Sequence, residues 1–163
     1  MRTGERNIYL IMAVLVVGLA TFKYLADSGE PDPGIPFYTT MSREDQVDAE
    51  VIVKRNDCTR CHTLWLVRNW IQSVPAPPLD GIGSLKDEDW FYTYLSSEVP
   101  QSILPSRLKA EYQMPSYAHL PEQERRLLAA YLASLKVEDW YLEEVRRKEY
   151  ETLTGLDYRQ GND

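Results

Sequence analysis

Two thiols and one imidazole stand together at Cys58-Thr59-Arg60-Cys61-His62. With that spacing each thiol can add across one vinyl group of a single porphyrin, while the adjacent imidazole reaches the iron from the same turn. C-x-x-C-H is the attachment signature of a covalently bound c-type haem. Two other chemistries compete. A structural zinc site needs a second pair of ligands, and the chain has only two cysteines, both in the motif. A thioredoxin-like dithiol needs a β-α-β frame around it, which the residue pattern here lacks; it is what remains of the alternatives. With both cysteines in the motif there is no disulfide framework, and maturation of the motif implies the oxidising side of a membrane.

The elements that must position these residues are bounded by the chain itself. A length of 163 residues allows one modest domain with appendages. The formal charge of −7 and pI near 4.9 argue against a nucleic-acid binder and fit either docking to basic surfaces or simple solubility. Ile8 to Phe22 is a charge-free apolar run that continues past Lys23 to Ala26. As a helix rising about 1.5 Å per residue, residues 7–26 are expected to cross a hydrocarbon core of about 30 Å as a retained, single-pass anchor. A cleaved signal peptide is the alternative, with Arg2 and Arg6 as its basic region and Gly18-Leu19-Ala20 as its cleavage site; the apolar character beyond that site favours the anchor. Arg2 and Arg6 then keep residues 1–6 cytoplasmic and put the rest on the periplasmic side of the inner membrane.

Residues 27–43 form the expected linker. Ser28 to Pro36 is rich in helix breakers and charge and reads as an extended tether. Glu44 to Asp57 is expected to be the first helix, with Ser42 as N-cap and an apolar face at Val47 and Val51, less regularly Ile52 and Val53. A middle helix runs from near Ser84 through Leu95, with acidic residues in its first turn, and a closing helix runs from Glu122 to Lys136, with Arg126, Leu127, Ala130, Tyr131 and Leu135 in register. The fold class expected is all-α.

A helix running into C-x-x-C-H, then a proline-rich loop, then Met114-Pro115 and a closing helix together resemble the class I cytochrome c family, over about residues 44–136. The resemblance implies a cytochrome c-like helical haem domain in which Cys58 and Cys61 are the thioether anchors and His62 is the proximal iron ligand. Ala76-Pro77-Pro78-Leu79 resembles the family's Gly-Pro-x-Leu element, which gives the Pro77 carbonyl the task of orienting the imidazole; the alternative is a loop merely stiffened by proline. Glu111 to Tyr117 resembles the distal-ligand loop, with Met114 as the sixth ligand and His119, the only other histidine, as its rival. A thioether favours Fe(II) and raises the potential above that of a bis-imidazole haem. The sequence departs from the family in its first helix, where Ala49 and Val53 stand in place of a glycine and an aromatic; Tyr131 is a candidate for the missing bulk.

Other residues carry weaker expectations. Leu64 to Ile71 is apolar for a loop and is expected to wall the haem, with Trp65 or Trp70, if exposed, at the centre of an electron-transfer interface. Trp90 and Arg107 are candidates for the haem propionates. Residues 137–163 form a C-terminal helical extension and tail, helical from Val137 to Thr154 with Glu143–Arg147 and Glu144–Lys148 pairs and a stop at Gly155; it is either a solvated helix or a docking element for a partner subunit.

Taken together these residues point to a membrane-anchored monohaem cytochrome c of a respiratory chain, passing single electrons between redox proteins and not itself an enzyme. The alternative is a dedicated subunit through which electrons enter a larger membrane oxidoreductase, such as a nitric oxide reductase, a haem-copper oxidase or a quinol-oxidising complex. A haem gas sensor would require an open sixth position.

Overall fold

The computed structural model describes residues 3–26, 33–67 and 74–161. The chain is mostly helical, with two compact units, one ending at Gly34 and the other beginning at Ile35. In the first unit α1 spans Thr3–Ala26. Its stretch Arg6–Lys23 is long and apolar enough to cross a membrane, and Ile8 to Phe22 are exposed along it. Thr21 donates its hydroxyl to the Val17 and Gly18 carbonyls at 2.8 and 3.0 Å, so that hydroxyl is satisfied within the helix.

The second unit contains a small amount of strand that an all-α expectation omits. β1 (Phe37–Thr39) pairs antiparallel with β2 (Leu135–Val137), Phe37 opposite Val137. Around them the Thr40 amide donates to the Ser134 carbonyl and the Glu138 amide to the Pro36 carbonyl. The C-terminal part of the expected linker is therefore built into the fold: a backbone with no helical periodicity of its own takes its hydrogen bonds from the chain leaving the closing helix. Residues 27–32 of that linker lie outside the described residues.

α2 spans Arg43–Arg55 and starts where Ser42 accepts the Asp45 amide at 3.2 Å. It buries Gln46, Ala49, Ile52 and Val53, whereas Val47 and Val51 are exposed. This corrects the expected face: positions 46, 49, 52 and 53 share one helical stripe, and the two valines lie around the side from it. Gln46 is a tolerable core residue because its amide donates to Glu50 at 2.7 Å. Ala49 and Val53 are both in the core, as is the wholly buried Tyr131.

α3 spans Glu88–Ser96, later than expected, because Ile82–Ser84 forms a separate 3₁₀ turn and Asp87 caps the helix by accepting the Trp90 amide. α3 and α4 (Glu122–Ser134) pack together across Phe91, Leu95, Leu128 and Leu132. Arg126 points outward to Glu122, and Arg55 of α2 pairs with Glu124 of α4. α4 ends before Lys136 because the chain turns extended there to form β2.

The C-terminal extension is not one helix from Val137. It begins as β2, passes through a 3₁₀ turn at Asp139–Tyr141, and becomes α5 over Leu142–Thr154, ending at Gly155 with φ of 73°. The Glu144–Lys148 pair forms at 3.4 Å. Arg147, however, bridges Glu144 and Glu151 instead of Glu143, and Glu143 takes Arg146 and the Tyr158 hydroxyl. Val145 is buried against Gly81, where an added Cβ would come within 3.2 Å of it.

Candidate functional site

At the end of α2 the Asn56 amide and side chain both bond to the Ile52 carbonyl. Asp57 then adopts the left-handed region, with φ of 53°, a conformation that aspartate tolerates better than most residues. That reversal starts a 3₁₀ turn at Cys58–Arg60, in which the Cys61 and His62 amides both donate to the Cys58 carbonyl at 3.2 and 3.0 Å. The five motif residues are thus one tight turn, and both thiols are free. Burial pushes the Cys58 thiol up to about 11, against a hydrogen bond with Tyr117 that works in the other direction.

His62 Nδ1–H donates to the Pro77 carbonyl at 2.7 Å. Burial lowers the imidazole's affinity for a second proton, which favours the neutral ring with a lone pair on Nε2, the form in which an imidazole binds a metal. The proline segment is held in place for this contact. The Leu79 amide donates to the Thr63 carbonyl at 2.9 Å, fastening the segment beside the motif. Prolines at 75, 77 and 78 limit its freedom to move.

Met114 sits in a loop fixed by side-chain bonds to backbone. Gln101 donates to the Met114 carbonyl at 2.8 Å, Gln113 to the Leu108 carbonyl at 2.7 Å, and Ser116 to the Ser97 carbonyl at 2.8 Å. His119 is exposed, with its ring 6.3 Å from that of Tyr117.

Cys58, Cys61, His62, Pro77 and Met114 all border one cavity, which encloses about 1430 Å³ of empty space including its mouth. His119 does not line it. The wall is mostly apolar, from Val53 of α2, Ile82, Phe91 and Leu95 of α3, Leu104, and Leu128 and Leu132 of α4. Lys86, Arg107 and Glu149 add charge. Two thiols, an imidazole with a free ring nitrogen, a thioether and an apolar wall are the donor set a covalently attached haem requires. Among the described residues no three His, Cys, Asp or Glu side chains gather as a metal-ion site.

Trp90 and Arg107 both border the cavity. Trp90 is stacked on Tyr94 at 5.1 Å with Lys86 over its ring, and Arg107 donates Nε and Nη2 to the Thr152 carbonyl. Trp65 is half-buried, and its indole N–H donates to the Tyr131 hydroxyl at 3.1 Å. The residues exposed beside it are Leu66 and Val67. Trp70 lies outside the described residues.

The sequence reading missed the contribution of α5. Glu149, Thr152 and Leu153 line the cavity, so the extension is part of its wall. The signal was present: Val145, Glu149, Thr152 and Leu153 share one helical face, but the exposed ion pairs on the other faces were easier to see. Compared with protein-family models, curated proteins and solved structures, the chain matches none.

Proposed function

We propose that this chain is a membrane-anchored monohaem c-type cytochrome that passes single electrons between redox proteins on the periplasmic side of the inner membrane. The observation that carries the reading is the convergence of Cys58, Cys61, His62 and Met114 on one apolar cavity. Cys58 and Cys61 would hold the haem as thioethers, His62 Nε2 and Met114 Sδ would bind its iron, and Pro77 would fix the imidazole through Nδ1. The bound group supplies one-electron Fe(III)/Fe(II) chemistry.

The residues of this chain do the rest. The Pro77 carbonyl sets the orientation of His62, and Gln101 ties down the Met114 backbone, so both residues are held at the cavity before a group binds. Val53, Phe91, Leu95, Leu128 and Leu132 give the cavity an apolar lining that would keep water from a group bound there. α1 supplies the anchor, by its length and apolar character.

The test is to produce the full chain in a host that matures c-type haem, denature it, and ask whether haem absorbance and one haem's mass stay with the polypeptide. Retention by the wild type and loss from the Cys58→Ala/Cys61→Ala variant is the expected result. A polypeptide recovered with two free thiols and no haem overturns the proposal.

A further inference from the structure

Glu149 is unlike the other acidic residues of α5. Glu143, Glu144 and Glu151 are each paired with an arginine on the solvent-facing sides of the helix. Glu149 is half-buried and borders the cavity, and its carboxylate has no hydrogen bond or ion pair within the described residues. Arg107 keeps it there: its guanidinium donates twice to the carbonyl of Thr152, on the next turn of the helix. That face of α5 is therefore fastened over the same space that Cys58, Cys61, His62 and Met114 border.

Outside the motif, the other titratable side chains on this wall among the described residues are Asp57, Lys86, Tyr94, Arg107, Tyr112 and Tyr117. Among the described residues Lys86 is the one whose charge acts on Glu149, drawing its carboxyl down, while burial acts more strongly to hold it above the ordinary glutamate value. The Lys86 ammonium is itself placed over the Trp90 ring and makes no bond to the carboxylate. On α5 the basic residues Arg146, Arg147 and Lys148 are engaged with Glu143, Glu144 and Glu151.

An unpartnered carboxylate in a wall of low polarity responds to a unit change of charge across the cavity more strongly than one in water. Resting on the haem reading above, we infer that Glu149 is a proton-binding site linked to electron transfer. When a one-electron donor reduces the centre held in this cavity, one O–H bond forms at the Glu149 carboxylate with a proton from solvent. When a one-electron acceptor removes the electron, that bond breaks and the proton returns to solvent. Such linkage is reciprocal, so the reduction potential falls as pH rises across the titration of Glu149. The site belongs to α5, outside the part of the chain that carries the class I resemblance.

The test is a spectroelectrochemical titration of the full-length haem protein in detergent, with soluble mediators, as a function of pH. The wild-type potential is expected to fall with pH above the usual glutamate value of about 4.3. Glu149→Gln is expected to remove that slope without changing the visible spectrum, and Lys86→Gln to move it to higher pH. An infrared difference spectrum of the wild type, reduced minus oxidised, should show a protonated carboxyl gained on reduction, a reading that needs no variant. A flat wild-type potential, or a slope unchanged in Glu149→Gln, overturns the proton site alone. A chain without haem overturns the reading beneath it, and the proton site with it.

Discussion

The Asp80 carboxylate accepts the Leu66 amide at 3.2 Å, and Leu66 is one of two adjacent residues with positive φ, 52° at Trp65 and 61° at Leu66. The flanking Leu64 and Val67 exchange both backbone bonds, at 3.2 and 3.0 Å, which makes a two-residue hairpin of a kind normally built from Asn and Gly. Neither residue here is suited to it, at a cost of roughly 1–2 kcal/mol each. Buried Asp80 holds the turn from inside. Asp80→Ala should leave the Leu66 amide without its acceptor and cost about 1–3 kcal/mol, read as a lower denaturant midpoint; Leu66→Gly should raise it.

The same carboxylate predicts a pH effect of unusual sign. Burial raises the Asp80 carboxyl, against its bonds to the Leu66 and Trp65 amides. Between the unfolded value of about 3.9 and the higher native one, the native state keeps a proton that the unfolded chain has released. The contribution of Asp80 to stability is therefore fully present below the unfolded value, falls as pH rises to the native value, and is level above it. Asp80→Asn should remove that fall, measured as denaturant midpoints of wild type and variant across the acid range.

Met114 and His119 separate cleanly in space, since Met114 borders the cavity and His119 does not. Met114→Ala should open the sixth position, so that the reduced protein binds carbon monoxide readily. His119→Ala should leave the visible spectrum and carbon monoxide binding as in the wild type. An unchanged Met114→Ala spectrum would refute the assignment of the thioether.

How much of this was legible in the sequence differs by element. Ser42, the acidic first turn after Asp87 and the stop at Gly155 act locally, through backbone groups within a few residues, and a local pattern reveals them. The Pro77 contact to His62 was legible only through the family resemblance, because nothing in a proline loop says where its carbonyl points. β1 and β2 were not legible: three residues each, they exist because distant segments meet, and residue periodicity carries no information about that. The face of α2 was misread because Val47 and Val51 advertise an apolar stripe, while the partner, α4, selects the one carrying Ala49.

Gly83 is where that packing is tightest, and it yields the last prediction. It lies in the 3₁₀ turn between the proline segment and α3, and a Cβ there would run into the backbone carbonyls of Leu132 and Ala133 at the end of α4. A carbonyl at the end of a helix cannot rotate away as a side chain would, so the turn itself must move. Lys136 Nζ donates to the Gly83 carbonyl at 2.5 Å, and the Val137 amide to the Ser84 hydroxyl at 3.1 Å, so the turn is fixed on its other side too. Gly83→Ala should therefore cost about 1–3 kcal/mol, as overpacking does. Because Ile82 next to it and Leu132 opposite both line the cavity, haem recovered per polypeptide should fall with the denaturant midpoint. A variant with wild-type stability and haem content would show that the turn and α4 are not in the contact described.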